Sequence, residues 1–195
     1  MPIFKGSKTA ANLMKAFAGE SQARNRYSFF AKTAREEGFG QIEAIFMETS
    51  DNEKAHAKLF YNHLVKNLEN NTPQEITASY PVAWGTTIQN LESSANGEHE
   101  EWSILYPEFA KIADEEGFPD IAKTFRGIAS IEAKHEARYK KLAESIKSGT
   151  IFKKSGKVFW KCRECGNIIE LSEAPEKCPV CAHPRSFYEI LAENY

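Results

Sequence analysis

The sequence predicts an all-α four-helix bundle followed by a small metal-binding domain made mainly of strands and loops. Three observations support this prediction: a repeated helical hairpin, ionisable residues inside the apolar stripes of its helices, and four cysteines confined to the last part of the chain. The 195 residues are enough for one ordinary domain and a smaller second one. We predict a bundle over residues 1–147, a linker over residues 148–157 and the second domain over residues 158–195.

The first half of the predicted bundle resembles the second half. Stretches that begin at Gly19 and Gly97 have a similar order of apolar and polar residues, and both turn at the sequence EEGF. Apolar residues recur every three or four positions on each side of that turn, which predicts two amphipathic helices per stretch. A hairpin cannot bury its apolar stripe alone, so the two hairpins must pack together, and the segment from Asn70 to Gly85 is long enough to connect them. Four helices with one long crossover form a ferritin-like bundle. The glutamates of the two turns are expected to be solvated helix ends: Glu36, Glu37, Glu115 and Glu116.

Ionisable side chains interrupt the apolar stripes at matching positions in the two halves. They are Glu20, Glu53, His56, Glu98, Glu101, Glu132 and His135. Burying an unpaired carboxylate is costly, so five of them in one core require cations. The two ExxH pairs each place a carboxylate and an imidazole one turn apart, and the other two helices supply further glutamates, which is the pattern of di-iron carboxylate proteins. Mixed oxygen and nitrogen donors suit iron or manganese.

One residue has been added to the second half near Glu101. Tyr27 corresponds to Tyr106 at a separation of 79 residues, whereas Glu20 corresponds to Glu98 at a separation of 78. An insertion within a helix is usually absorbed as a π-bulge, so we predict one here that turns Glu101 into the cavity beside Glu98. Tyr27 and Tyr106 are expected to point inward. Either their rings only pack in the core, or their hydroxyl groups form a hydrogen bond to a metal-binding carboxylate.

The cysteines form two CxxC pairs behind a change in composition. After Ile146 the sequence reads KSGTIFKKSGK, which is typical of a linker, and then the strand-like KVFWKC. Cys162 with Cys165, and Cys178 with Cys181, predict a tetrahedral four-thiolate metal site. Structural zinc and redox-active iron both use this spacing. Iron is favoured here because it can supply electrons singly to a di-iron centre.

Charge and hydropathy argue against two classes of partner. The net charge is -2 and the basic residues are spread along the chain, so no basic patch for nucleic acid is expected. No apolar run is long enough to span a bilayer. The first ten residues, MPIFKGSKTA, lack the features of a secretory signal, so a cytoplasmic location is expected. The sequence also lacks a glycine-rich dinucleotide fingerprint, so any nicotinamide must be oxidised by another protein.

Six segments follow one another along the chain: AFAGESQARNRY, DNEKAH, GEHEEW, EAKHE, CRECG and CPVCAHP. In this combination the chain resembles the rubrerythrin family over essentially its whole length. The resemblance implies a hydrogen peroxide reductase with two irons, bridged by oxo and carboxylate groups, and a third iron on four thiolates. The implied catalytic residues are Glu20, Glu53, Glu98, Glu101, Glu132, His56, His135 and Tyr27. The implied metal ligands are the same residues without Tyr27, together with Cys162, Cys165, Cys178 and Cys181.

The resemblance also implies partners and a redox-dependent ligand. Members of the family associate as homodimers or larger homo-oligomers. Their peroxide reductase activity belongs to anaerobic or microaerophilic metabolism. An NADH-dependent flavoprotein reductase, a free rubredoxin or both would return electrons through the cysteine site. Glu101 would bind one iron in the oxidised state and yield to His56 in the reduced state.

Two other classes of protein are compatible with these motifs. A ferroxidase or iron-handling protein would oxidise ferrous iron in a similar bundle, although iron storage has no need of the cysteine domain. A non-enzymatic protein would carry a zinc ribbon as a docking module on a structural bundle. Metal analysis combined with a visible spectrum separates these alternatives from the peroxide reductase.

Overall fold

A computed structural model describes residues 2–193 and contains a helical bundle followed by a small antiparallel sheet. The helices are α1 (Lys8–Glu36), α2 (Gly40–Asn67), α3 (Thr87–Glu100), a π-helical segment (Glu101–Leu105), α4 (Tyr106–Glu115) and α5 (Pro119–Lys147). The strands are β1 (Lys153–Cys162), β2 (Ile168–Glu173) and β3 (Tyr188–Ile190). Because α3, the π-helical segment and α4 form one continuous helix, the described chain has the four-helix bundle that the sequence predicts. None of the helices in residues 2–193 is long and apolar enough to cross a membrane.

Each hairpin turn also fastens the start of the other hairpin. The glycine of each EEGF turn has a φ of 84°, the left-handed conformation that commonly ends a helix. Glu116 accepts hydrogen bonds from the backbone amides of Lys8 and Thr9 at 3.0 and 2.8 Å, and Glu37 accepts one from the amide of Thr87 at 3.0 Å. Glu37 is exposed, as expected of a solvated helix end, whereas Glu116 is partly buried. Both side chains also cap the first turn of another helix, Glu37 that of α3 and Glu116 that of α1, which was not expected.

Two apolar clusters fill the bundle on either side of a polar middle. The first includes Leu13, Phe60, Phe109, Phe125 and Ile128. The second includes Phe30, Phe46, Leu91 and Tyr139. Along α1 the chain passes from the first cluster to the second, and along α2 it passes back. Side chains between the clusters are therefore shielded from water at both ends.

The crossover between the hairpins, residues 68–86, has no regular secondary structure and lies against α1. The hydroxyl group of Tyr80 donates a hydrogen bond to the carbonyl oxygen of Lys15 at 2.8 Å. Further along, the ring of Trp84 stacks on Phe29 with centroids 5.6 Å apart. Thr86 then caps α3. These contacts hold the crossover close to the surface of α1.

The C-terminal residues form a three-stranded antiparallel sheet in the order β2-β1-β3. Trp160 and Tyr188 are each 1% exposed and form its small core with three of the cysteines. Strand β1 begins at Lys153, inside the predicted linker 148–157, because Lys153 pairs with Glu173 and the amide of Ala174 bonds to the carbonyl of Phe152. The division into domains remains a prediction.

The sheet domain contacts the end of the bundle at the start of α2. The rings of Phe39 and Phe152 are stacked, with centroids 6.3 Å apart. At Gly40 an added Cβ atom would lie 2.5 Å from the carbonyl oxygen of Ser186. A side chain at this position would push the two parts of the chain apart.

Candidate metal centres

The polar middle of the bundle holds a cluster of carboxylates and imidazoles. Its members are Glu20 on α1, Glu53 and His56 on α2, Glu98 on α3, and Glu132 and His135 on α5. The carboxylates are at most 1% exposed and the imidazoles at most 5%. Each residue lies where the buried stripe of its helix passes between the two apolar clusters, so helix periodicity brings all of them to one level.

The cluster divides into two groups of four that share two carboxylates. Glu20, Glu53, His56 and Glu132 form one group, and Glu53, Glu98, Glu132 and His135 form the other. Within each group the donor atoms lie within 4.8 Å of one another. Glu53 and Glu132 belong to both groups, and each group adds one further carboxylate and one imidazole of its own. This is the arrangement that two metal ions bridged by carboxylates require.

The distances show how the shared carboxylates are turned. The Oε1 and Oε2 atoms of Glu132 lie 2.8 Å from His56 Nδ1 and 2.7 Å from His135 Nδ1, respectively. For Glu53 the assignment is reversed: its Oε2 atom lies 2.9 Å from His56 Nδ1, and its Oε1 atom lies 3.4 Å from His135 Nδ1. Two ligand atoms that each lie about 2.1 Å from the same metal ion, in directions at right angles to each other, are about 3.0 Å apart. Each shared carboxylate thus presents one oxygen to each metal position.

The donor atoms lack other partners within the described chain. The buried atoms that make no hydrogen bond there include both carboxylate oxygens of Glu53 and Glu132, Oε2 of Glu20, and Nδ1 of His56 and His135. Apart from the contacts between the two histidines and Glu53 or Glu132, these seven atoms have no polar partner within hydrogen-bonding distance in the described chain, and a shared metal ion would satisfy all of them. Carboxylate and imidazole donors in this arrangement fit a di-iron site.

Two tyrosines orient the unshared carboxylates. The hydroxyl group of Tyr27 donates to Glu98 Oε1 at 2.6 Å, and that of Tyr106 donates to Glu20 Oε1 at 2.5 Å. Burial, followed by the nearby carboxylates, raises the pKa of both tyrosines well above the ordinary value. Both phenols therefore keep their protons and act as hydrogen-bond donors.

Glu101 lies beside the two groups rather than within either of them. It begins the π-helical segment, which confirms the bulge predicted from the inserted residue. Its Oε1 atom is 4.0 Å from the position that a Cβ atom on Gly19 would occupy, and its side chain is partly accessible from a surface cleft. Burial and then repulsion from Glu132 and Glu53 raise its pKa well above the ordinary value, while Arg26 opposes the rise.

The charges in the cluster perturb its other titrating groups. Burial, and then repulsion from neighbouring carboxylates, raises the pKa of Glu20 and Glu98 well above the usual range. Burial works against protonation of the histidines, but close contacts with Glu132 and Glu53 raise the pKa of His56 to about 10 and that of His135 to about 9. Without metal, the cluster therefore retains protons that metal ions would displace.

The four cysteines form a second site in the sheet domain. Their sulfur atoms all lie within 4.8 Å of one another, with 3.8 Å between Cys162 and Cys181 and 3.7 Å between Cys165 and Cys178. A tetrahedron of sulfurs about 2.3 Å from a central metal has edges of about 3.8 Å, whereas a disulfide bond is about 2.0 Å long. The spacing therefore fits four thiolates around one metal.

Hydrogen bonds within the cysteine site favour thiolates unequally. Burial raises the pKa of Cys178, but hydrogen bonds from the Tyr188 hydroxyl and from backbone amides outweigh it and lower the pKa to about 6. The backbone amide of His183 lowers the pKa of Cys181, but burial and the neighbouring sulfurs outweigh it and raise the pKa to about 12. A cation among the four sulfurs would favour the thiolate form of all four cysteines.

Comparison with known proteins agrees with this pair of sites. Residues 11–143 match the family described as Rubrerythrin, and residues 160–189 match its rubredoxin-like domain. The chain is 54% identical to a rubrerythrin of Clostridium perfringens (strain 13 / Type A) over 196 aligned positions, with 100% of each chain covered. This chain belongs to the rubrerythrin family. Peroxide reduction is the known role of rubrerythrins.

Solved structures place the rubrerythrin-family bundle among ferritin-like folds. A structure of nigerythrin in a mixed-valence state has a TM-score of 0.64 and 32% identity, and the match covers 97% of this chain and 92% of that chain. A bacterioferritin of Desulfovibrio desulfuricans has a TM-score of 0.65 at 23% identity, covering 73% of this chain and 82% of that chain, which shows the fold alone. The predicted fold class is confirmed. The carboxylate and histidine cluster and the four cysteines fit the di-iron and rubredoxin-like iron sites of a rubrerythrin.

Sequence reasoning missed a buried carboxylate that braces the π-helical segment. Glu136 is 6% exposed and accepts a hydrogen bond from Trp102 Nε1 at 2.5 Å. It also lies 3.1 Å from His99 Nδ1 and forms an ion pair with Lys140. The side chain of His99 is 53% exposed. The sequence signal that could have indicated this role is the position of Glu136 directly after His135. A residue next to a candidate ligand lies near the centre of the bundle, where it can contact the helix that carries Glu101.

Proposed function

We propose that this chain reduces hydrogen peroxide to water at the carboxylate and histidine cluster, with electrons delivered through the four-cysteine site. The observation that carries the proposal is the combination, in one chain, of two bridged metal positions and a separate tetrathiolate position. Reduction of one peroxide consumes two electrons and two protons and yields two waters. When bound, the irons would supply Lewis acidity and electrons. A tetrathiolate iron changes oxidation state by one electron, so two successive deliveries would restore the starting state.

The protein groups would position the unshared ligands and keep water out. Tyr27 and Tyr106 hold one oxygen of Glu98 and Glu20, leaving the other oxygen of each carboxylate free to face a metal. Each phenol also holds a proton at its Oη atom, next to the place where peroxide oxygens need protons. The apolar clusters at both ends of the site limit competing reactions with bulk water.

Glu101 and His56 are proposed to alternate at one metal position. His56 contacts both bridging carboxylates, whereas Glu101 lies outside the two donor groups. A neutral imidazole suits the less positive metal pair, and an additional carboxylate suits the more positive oxidised pair. The π-helical segment that begins at Glu101 supports this proposal, because it accommodates the inserted residue without a break in the helix.

The proposed electron donors rest on the resemblance to the rubrerythrin family. We propose an external NADH-dependent flavoprotein reductase, a free rubredoxin or both, and the missing dinucleotide fingerprint is consistent with oxidation of the nicotinamide by another protein. We also propose a cytoplasmic homodimer or larger homo-oligomer. Four closely spaced thiols that form no disulfide suit a reducing compartment.

The test begins with protein purified without oxygen. Iron and zinc analysis should give three irons per chain, and the oxidised protein should be red. The fully reduced protein should consume hydrogen peroxide in a single rapid phase, and added NADH and reductase should give steady turnover. A colourless protein with one tightly bound zinc would refute the iron assignment of the cysteine site. Rapid reaction with oxygen and accumulation of a mineral core, with little peroxide reduction, would favour the ferroxidase alternative.

A substitution tests the proposed electron route. Cys162→Ser removes one of the four thiolates and should abolish NADH-linked turnover while the single peroxide phase persists. Ser172→Ala, an exposed change on strand β2 of the same sheet domain, is the matched control and should retain both reactions. Full NADH-linked turnover in Cys162→Ser would show that electrons enter elsewhere.

A further inference from the structure

A surface cleft of about 620 Å³ lies between α1 and the third bundle helix, beneath the crossover. Tyr80 of the crossover lies on one side of the cleft, and Glu101 and Tyr106 are among the residues that line it. Glu101 is the partly accessible acid of the candidate di-iron site. Three other surface hollows within residues 2–193 are lined neither by Glu101 nor by Tyr106, the tyrosine that bonds to Glu20. The cleft therefore connects the protein surface with the neighbourhood of the cluster.

Two glycines leave space in the walls of this cleft. Gly19 and Gly97 directly precede Glu20 and Glu98, so they are equivalent positions of the internal repeat. A Cβ atom on Gly19 would lie 3.5 Å from Tyr80 Cε1 and 4.0 Å from Glu101 Oε1, and one on Gly97 would lie 4.0 Å from Arg26 Nη2. Both residues are inside helices, where glycine is less favourable than alanine. Neither glycine has a positive φ, so the backbone conformation does not require glycine at these positions. What glycine provides here is the space that a side chain would otherwise fill.

The polar lining of the cleft includes an unpaired hydrogen-bond donor. Arg26 Nε donates to Gln22 Oε1 at 2.6 Å, but the buried Nη1 atom of Arg26 makes no hydrogen bond within residues 2–193. A buried guanidinium nitrogen without a partner is costly unless a small polar molecule bonds to it. The cleft can therefore hold small oxygen compounds between Arg26 and Glu101.

We propose that this cleft is the passage by which hydrogen peroxide reaches the candidate di-iron site, and that Gly19 and Tyr80 set the size of molecule admitted. The inference deepens the proposed function and rests on it for the identity of the substrate. Arg26 binds peroxide oxygens in transit, and the missing side chain of Gly19 leaves a gap between Tyr80 and Glu101. Hydrogen peroxide fits this gap, whereas the ring of Tyr80 obstructs bulky organic hydroperoxides.

The proposal is tested by following azide, a small probe, into the oxidised iron-loaded protein. In Gly19→Leu the side chain occupies the gap, so the association and dissociation rates should fall by the same factor, about tenfold for about 1.4 kcal/mol of added barrier. The dissociation constant should stay unchanged, because a passage alters access and leaves the binding site intact. Gly19→Ala should give a smaller effect in the same direction. Stopped-flow absorption measures both rates.

Matched variants separate a blocked passage from a damaged protein. Gly127→Leu places the same side chain on the exposed face of α5, where a Cβ atom meets nothing within 4 Å, and should leave both azide rates unchanged. Tyr80→Ala should act oppositely, raising both rates and increasing reactivity toward tert-butyl hydroperoxide more than toward hydrogen peroxide. Iron content and the unfolding midpoint of the iron-free proteins check that each variant is intact.

The outcomes decide the passage separately from the proposed function. Unchanged azide rates in Gly19→Leu or in Tyr80→Ala would overturn the passage, and so would a changed dissociation constant with an unchanged association rate. If Gly19→Leu failed to bind iron, Gly19→Ala and Tyr80→Ala would still decide the question. Wild-type protein that binds azide as expected but reduces no peroxide would overturn the proposed function and leave the passage standing.

Discussion

The iron-free protein should lose stability as the pH rises above neutrality. In the folded chain the pKa of His56 is raised to about 10 and that of His135 to about 9, whereas an unfolded histidine titrates near about 6.5. Above neutrality the folded state therefore binds more protons than the unfolded state, and the stabilisation disappears as the pH rises through the folded pKa values. The raised pKa values of Glu20, Glu98 and Glu101 act in the same direction from a lower starting pH.

The two histidines alone give a measurable slope. Each proton held only by the folded state changes the free energy of unfolding by about 1.4 kcal/mol per pH unit. His56 and His135 together should therefore remove about 2.7 kcal/mol per unit between about pH 7 and pH 8.5. A domain is typically stable by about 5–15 kcal/mol, so this loss is a large part of the total.

Urea unfolding of chelator-treated protein, followed by circular dichroism at several pH values, measures this slope. Iron-loaded protein should show little slope, because metal ligands are deprotonated in the folded state. His135→Gln should remove about half of the histidine contribution, or about 1.4 kcal/mol per pH unit. His63→Gln is the control, since His63 lies outside the cluster and its pKa is lowered by burial and by Lys66. A free energy of unfolding that stays constant or rises from pH 7 to pH 8.5 in the chelated wild type would refute the reasoning.

Three further substitutions have defined outcomes. Tyr106→Phe removes a 2.5 Å hydrogen bond to Glu20, and a hydrogen bond to a charged group contributes about 1.5–3 kcal/mol. The rate of peroxide reduction, measured by stopped flow, should therefore fall at least about tenfold while the iron content stays the same. An unchanged rate would contradict the proposed role of Tyr106. Glu101→Ala should keep both bundle irons and slow peroxide turnover more than oxygen-driven iron oxidation, and equal slowing of the two reactions would count against ligand exchange. Glu116→Ala should lower the free energy of unfolding by about 1–2 kcal/mol in urea titrations, because the amides of Lys8 and Thr9 in the first turn of α1 lose their acceptor. Exposed Glu115→Ala is its control, and equal effects of the two changes would argue against the cap.

The features that were predictable from sequence are those set by helix periodicity. A carboxylate and a histidine three residues apart share one helix face, so the sequence alone predicts that the two ExxH pairs point toward the core. The single added residue near Glu101 likewise had one economical location, and the π-helical segment is there. Adjacent apolar residues show the limit of this periodicity: Leu59 is 47% exposed, whereas its neighbour Phe60 is fully buried.

The features that were missed depend on contacts between distant parts of the chain. Glu116 bonds to residues at the opposite end of the bundle sequence, more than 100 positions away, and nothing local distinguishes it from Glu115. The start of β1 at Lys153 depends on pairing with Glu173, whereas the local composition is that of a linker. The surroundings of Arg26 likewise could not be predicted, because its unpaired nitrogen is buried by the packing of distant segments, α3 and the crossover, beside α1.

The tyrosine contacts give the bundle the internal symmetry of a dimer. Tyr27 of the first hairpin holds Glu98 of the second, and Tyr106 of the second holds Glu20 of the first. Because the two contacts exchange under a pseudo-twofold rotation, neither hairpin can assemble half of the site by itself. The arrangement is what a gene duplication would leave after two copies of a self-associating hairpin had been joined by the crossover. The inserted residue at Glu101 breaks that symmetry on one side only, which gives the two metal positions different surroundings.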